Sequence, residues 1–158
     1  MVTIDNIFKE TFPLGDNKET ITKKILLDAD ALIALINKDD SNHNRALKIN
    51  QEFQKSGVSR YVSPFTIFET ITVLSHKISH QIAKDFLIEV RKKDYFLTIC
   101  LDEKNAILAD KWFLKQTIKG ISYFDCYNMA LLERYKNQLY GIFSFDAIYK
   151  KNGFKTFS

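Results

Sequence analysis

The chain has 158 residues, 46% hydrophobic and 27% charged, which is one domain's worth of an ordinary soluble fold and excludes wholesale disorder, a collagen-like repeat or a disulfide-stapled miniprotein. No apolar run approaches the roughly 20 residues of a membrane span, and the start MVTIDNIFKE lacks a basic stretch followed by an apolar one, so neither a span nor a secretory signal is expected. A formal net charge of +4 permits a polyanionic partner without demanding one, and Cys100 and Cys126, without C-x-x-C spacing, suit a reducing cytoplasm.

Residues 1 to 24 read as a polar lead-in with a turn at Pro13, Gly15 and Asp16. Ile25-Leu26-Leu27, closed by Asp28, suits a buried strand of a parallel sheet. Ala31 to Ile36 favours a helix, and Lys38 to Asn42 a loop. Ala46, Leu47, Ile49, Asn50 and Phe53 have helical spacing that Gly57 ends. Val58 to Ser63 is a second predicted strand. Pro64 then opens a helix bearing Phe65, Ile67, Phe68, Ile71, Leu74 and Ile78, with Glu69 among them.

A further amphipathic helix is predicted over Ser79 to Lys92, with Ile82, Phe86, Ile88 and Val90 apolar, and a third strand over Tyr95 to Leu101. Asp102 is expected to cap a helix that reaches Lys119 and stops at Gly120. Asp125 to Gln138 reads as helix, Gly141 to Phe145 as a fourth strand stopped by Asp146, and Phe154 to Phe157 as a fifth. Short apolar strands alternating with helices predict a three-layer α/β/α domain, residues 25–158, around a central, mainly parallel sheet.

In open α/β sheets ligands bind beyond the carboxyl ends of the strands. Asp28 follows the first strand and Asp146 the fourth, while Asp125 opens the helix before the fourth, so all three can share one sheet edge. Glu69 lies in an apolar helix, where an unpaired charge is expensive and a shared cation would be a partner. Each acid also has a plain structural reading. Asp28 and Asp125 can be helix caps, with Ser122-x-x-Asp125 at capping-box spacing; Asp146 can start a turn, and Glu69 can face solvent. Hard oxygen ligands without a Cys or His set select Mg²⁺ or Mn²⁺ over zinc. Such an ion would lower the pKa of a bound water and neutralise charge on a phosphodiester in transition.

The order and setting of these acids resemble the PIN-domain ribonucleases, which include the VapC-type toxins of toxin–antitoxin pairs. The resemblance is carried by Ile25-Leu-Leu-Asp-Ala-Asp-Ala-Leu-Ile33, Val62-Ser-Pro-Phe-Thr-Ile-Phe-Glu-Thr70, Phe124-Asp-Cys-Tyr-Asn-Met-Ala130 and Phe143-Ser-Phe-Asp146, and spans residues 25 to 157. It implies that Asp28, Glu69, Asp125 and Asp146 are the catalytic acids that hold one or two Mg²⁺ or Mn²⁺ ions. Ser144 falls where a small hydroxyl, often Thr, supports that cluster, and Asp30 falls two residues after the first acid. The implied activity is endonucleolytic cleavage of RNA by metal-activated water. The implied partners are an RNA substrate, a small antitoxin and, for some assemblies, a second copy in a homodimer. One-metal and two-metal chemistry both stay open.

Lys150 and Lys151 follow Asp146 closely and can meet a phosphate backbone, or form a solvated charge pair. His76 and His80 have the i, i+4 spacing of zinc ligands, but lack the H-E-x-x-H glutamate and any Cys pair, so zinc is not expected. His43 is read as exposed, and Cys126 as a core thiol rather than a nucleophile. Two other functions compete with the nuclease. One is an inactive PIN-like module that binds nucleic acid or scaffolds; the other is a metal-dependent hydrolase of small phosphate esters.

Overall fold

The computed structural model describes residues 23–92 and 95–158; the lead-in turn predicted at Pro13, Gly15 and Asp16 lies outside them. The elements run β1 (Lys24–Leu27), α1 (Ala29–Ile36), α2 (His43–Lys55), β2 (Ser59–Val62), α3 (Pro64–Lys77) and α4 (His80–Lys92). Then come β3 (Leu97–Thr98), α5 (Glu103–Lys115), α6 (Tyr123–Arg134), β4 (Leu139–Phe143), α7 (Ala147–Lys151) and β5 (Thr156–Phe157). The five strands form one sheet in the order β3-β2-β1-β4-β5, and all four pairings are parallel. The expected α/β/α architecture is therefore present.

The layers follow from strand periodicity, because successive side chains point to opposite faces. Ile25, Leu27 and Phe143 enter a core with Leu35, Phe53, Leu74 and Phe86, covered by α1 to α4. Leu26 and Ile142 face the other way, among Met129, Leu131 and Tyr149, under α5 to α7. The central strand β1 is buried on both faces, which is why its sequence is continuously apolar rather than alternating.

Several boundaries differ from the sequence expectations. The third strand shrinks from Tyr95–Leu101 to Leu97–Thr98, because Tyr95 and Phe96 are buried in the core while Leu97 and Thr98 form a short, exposed edge. In α4, Ile82 and Val90 pack against the core as predicted and Phe86 is part of it, but Ile88 is exposed. Glu89 takes the buried place and meets Lys92 at 3.4 Å. β1 begins at Lys24, one residue inside the predicted lead-in.

The largest difference lies after Asp102. Its side chain caps the helix as predicted by accepting from the Lys104 N–H, but α5 ends at Lys115, not Lys119. Gln116 turns extended, and the β-branched pair Thr117-Ile118 is poorly disposed to continue a helix. Residues 116–122 form a loop in which Gly120 has φ +92°, a conformation natural only to glycine. The next helix starts at Tyr123 rather than Asp125, since Ser122 is the cap and Asp125 the third helical residue, and it ends at Arg134 so that β4 can begin at Leu139.

Candidate active site

Three helix N-termini converge at the carboxyl edge of the sheet. Asp28 follows β1 directly and is the N-cap of α1, with Oδ1 accepting from the Ala29 N–H at 2.9 Å. Asp146 follows β4 and caps α7, accepting from the Ile148 N–H at 2.8 Å. Asp125 completes a capping box with Ser122, whose N–H donates to Oδ2 at 3.1 Å. The capping roles and the clustering are thus the same fact. A carboxylate that follows a parallel strand and starts the crossover helix is at once a cap and an edge acid, and the helix dipole favours its charge.

Hydrogen bonds tie the acids together. Ser144 Oγ lies 2.9 Å from Asp28 Oδ2 and 3.1 Å from Asp30 Oδ2, and it also accepts from the Asp146 N–H at 3.0 Å. Its single proton can serve only one of the two carboxylates. The Phe145 N–H donates to Asp30 Oδ2 at 2.8 Å. On the other side, the Tyr149 hydroxyl donates to Asp125 Oδ1 at 3.1 Å. Asn128 Nδ2 donates to Asp28 Oδ1 at 3.1 Å and to the Tyr149 oxygen at 3.3 Å.

The electrostatics record excess negative charge. Burial, with repulsion from Asp30 and Asp125, raises the Asp28 carboxyl well above the usual range. Burial brings Asp30 to about 6. Burial and the charges of Asp125 and Asp30 bring Glu69 to about 7, so Glu69 senses the cluster from α3 although no hydrogen bond joins it there. Asp125 is also raised, by burial and then by Asp146, against the Tyr149 and Ser122 hydrogen bonds that lower it.

A protein-family model, that of the PIN domain, matches residues 25–155. This chain belongs to the PIN-domain family. No curated protein sequence matches it. Among solved structures, this PIN domain is similar to the crystal structure of VapC20 from Mycobacterium tuberculosis, a toxin that cleaves the sarcin–ricin loop. The TM-score is 0.71 and the identity 19%, with 83% of this chain and 96% of that chain covered; at that identity the likeness is one of fold.

PIN domains are associated with divalent metals, and the donor set here suits one. Every candidate ligand is a hard carboxylate oxygen. Asp30 Oδ1 is buried with no hydrogen-bond partner, and four acids are held towards protonation by burial and, in each case, by the charge of a neighbouring carboxylate. A cation would relieve both conditions. Among the described residues, no three Asp, Glu, His or Cys side chains already enclose a point as a finished cage.

The sequence-predicted residues thus fall in one region, with differences in detail. Ser144 joins Asp28, Asp30 and Asp146 directly, Asp125 is linked to Asp28 through Tyr149 and Asn128, and Glu69 stands in their field. Lys151 lines a cavity beside Asp125 and Asp146; Lys150 is exposed on the same helix and is not part of that lining. His43 is half-buried rather than exposed, because its Nδ1 bonds the Ala34 carbonyl at 2.7 Å. His80 is held by Ser75 Oγ at 2.9 Å. Cys126 is a buried thiol, pushed up to about 11 by burial and by Asp125.

Sequence reasoning missed Asn128 and Tyr149. The signal was present in the spacing. Asn128 lies three residues after Asp125 and Tyr149 three after Asp146, one helical turn along the same face in each case. Apolar neighbours conceal both in the sequence, and both are fully buried, but with polar atoms aimed at acids.

Proposed function

We propose that this PIN-domain protein is a metal-dependent endoribonuclease that hydrolyses RNA phosphodiester bonds, and that it is the toxin of a type II toxin–antitoxin pair. The observation that carries the reading is the group of five carboxylates at the carboxyl edge of a parallel sheet, with Asp28, Asp30, Asp125 and Asp146 tied together by hydrogen bonds and Glu69 within their field. The VapC20 likeness adds a fold in which RNA cleavage occurs. Residues 25–158 would carry the nuclease, with 1–24 outside it.

Mg²⁺ or Mn²⁺ would be held by Asp28, Glu69, Asp125 and Asp146; when bound, it supplies a water of lowered pKa and neutralises charge on the phosphodiester. The chain's own residues do the rest. Ser144 and the Phe145 N–H fix the Asp28 and Asp30 carboxylates at one side. Asn128 and Tyr149 fix Asp28 and Asp125 at the other. With these groups locked, little reorganisation remains when charge develops on the phosphoryl oxygens. Lys150 and Lys151 offer cations to the RNA backbone. The partners that go with this reading are an RNA substrate, a small antitoxin that masks the acidic edge, and a second copy in a homodimer, in the cytoplasm. No helix among the described residues is long and apolar enough to cross a membrane.

The test is thermal unfolding in EDTA and then with Mn²⁺, alongside cleavage of a long unstructured RNA and of a nucleotide ester. The expected result is a Tm rise with Mn²⁺ in the wild type, absent in Asp28→Asn and Asp146→Asn, and cleavage of the RNA but not the ester. Ester hydrolysis alone would replace the reading with a small-phosphoester hydrolase. No cleavage with intact folding would leave a binding module.

A further inference from the structure

A cavity of about 200 Å³ opens directly beside the acidic edge, with Asp125 and Asp146 in its wall. Its remaining lining comes chiefly from the 116–122 loop and from α7, the segment where the predicted helix fails to form. Gln116, Ile118, Lys119 and Ile121 line one side, and Ile148, Lys151 and Asn152 the other. The loop is not a slack connection. Gln116 Nε2 donates to the Trp112 carbonyl at 3.2 Å and to Asn152 Oδ1 at 3.4 Å. Asn152 Nδ2 in turn donates to the Ile148 carbonyl at 2.9 Å. The two amides are therefore held against each other in the cavity wall, with both Gln116 hydrogens engaged and its oxygen left to accept.

Each property of the cavity narrows the ligand. It is smaller than the roughly 300–1,000 Å³ of a drug-sized pocket, a fit for one planar heterocycle rather than an oligonucleotide. Three isoleucines supply apolar surface for the face of a ring, and Ile118 is 63% exposed, so it contributes little to the core that would explain it. Oriented amides suit the hydrogen-bonding edge of a base. Lys119 and Lys151 flank the cavity and match a neighbouring phosphate. A base paired in a duplex has its edge occupied and its faces stacked, so only an unpaired one can enter.

We propose that this cavity is a base subsite, which takes the unpaired nucleobase of the nucleotide next to the bond that is cut. The proposal rests on the ribonuclease reading for the position of that bond, and on the cavity alone for the binding of a base. It makes the 116–122 loop a determinant of where the chain cuts: a strand is positioned at the acids by a base held beside them.

The experiment uses uncharged ribonucleosides in EDTA, so that neither metal nor phosphate repulsion by the acids enters the readout. The full chain, labelled with ¹⁵N, is titrated with adenosine, cytidine and uridine while backbone amide shifts are followed. Saturable shifts are expected at Lys119, Gly120, Ile121 and Asn152. Affinity should fall about tenfold in Gln116→Ala, as for one lost hydrogen bond, and binding should be lost in Ile118→Asp. The exposed position of Ile118 keeps that variant folded, which an unchanged remainder of the spectrum verifies. Absence of saturable shifts at those amides, or equal shifts in Ile118→Asp, overturns the subsite.

Cleavage of a long RNA with Mn²⁺, run in parallel, separates the two readings. Cutting by the wild type with a site distribution unchanged in Ile118→Asp overturns the subsite and leaves the ribonuclease standing. Nucleoside binding without any RNA cleavage supports the subsite and removes the ribonuclease.

Discussion

Asn128 donates its side-chain N–H to Asp28 Oδ1 at 3.1 Å, across 100 residues of sequence, and the same nitrogen reaches the Tyr149 hydroxyl at 3.3 Å. Tyr149 passes the link to Asp125 at 3.1 Å. Two acids that repel are thus braced through two neutral side chains, each of which is buried. The brace sets their separation while adding no charge of its own. Asn128→Leu removes both donors and leaves a buried carboxylate with less support, so it should lower stability by about 1–3 kcal/mol. Tyr149→Phe loses the bond given to Asp125 and the long one taken from Asn128 but leaves Asp28 its Asn128 donor, so it should lower stability less, by about 1 kcal/mol. Urea unfolding of the three proteins in EDTA checks the ranking, and equal stability of Asn128→Leu and wild type would contradict the brace.

Cys126 adjoins Asp125 yet has no means to act as a nucleophile. It is buried and raised to about 11, so at neutral pH roughly one thiol in 10⁴ would be ionised. Cys100 is exposed. A thiol reagent should therefore modify one cysteine per native chain, at Cys100, and both after denaturation. Rapid native labelling of Cys126 would show that the acidic edge is more open than its packing indicates.

The parts of this molecule legible in the sequence are those where one local rule acts alone. The apolar run Ile25-Leu26-Leu27 ended by Asp28 specifies a central strand and an edge acid together. Pro64 after Ser63 starts α3 where expected. The same one-rule reading fails where two demands compete. Helical periodicity after Asp102 continues to Lys119, but the β-branched pair Thr117-Ile118 and the Gln116–Asn152 contact end α5 at Lys115. Tyr149 and Asn128 look apolar by context because helix 3.6-spacing puts them on the core side; only the fold reveals that this side also faces the acids. Glu69 was recognised because a charge in an apolar helix needs a reason, and its relation to Asp125 is long-range, visible only after folding.

Gly141 in β4 reports how closely β5 is pressed against its neighbour. A Cβ at that position would lie 2.6 Å from the Lys155 carbonyl oxygen, and backbone cannot swing aside as a side chain can. The strand pairing Ile142 to Thr156 runs directly beside it. Gly141→Ala should destabilise the protein by about 1–3 kcal/mol, as overpacking does. The loss should concentrate at β5, seen as faster hydrogen exchange at Ser144 N–H, which donates to the Phe157 carbonyl at 3.1 Å. Exchange raised evenly over the whole sheet would instead indicate a global effect.

The acidic edge also fixes how stability depends on pH. The folded-state carboxyls of Asp30, at about 6, and Glu69, at about 7, lie above their ordinary values of 3.8 and 4.5. Between those limits the folded chain binds more protons than the unfolded one, so stability falls as pH rises from about 4 to about 7 and levels off above. Asp28 and Asp125 shift in the same direction and add to the trend. The loss should be on the order of 2 kcal/mol, chiefly from the more buried Asp30, because solvent still screens Glu69. A divalent cation competes with these protons, so its stabilising effect should be small at pH 5 and grow towards pH 7.5, with protons released on binding. Thermal unfolding across pH 5 to 8, in EDTA and in Mn²⁺, should therefore give two curves that converge in acid and diverge towards neutrality. Apo stability that rises with pH over this range would mean that the carboxylates are already neutralised by partners within the fold.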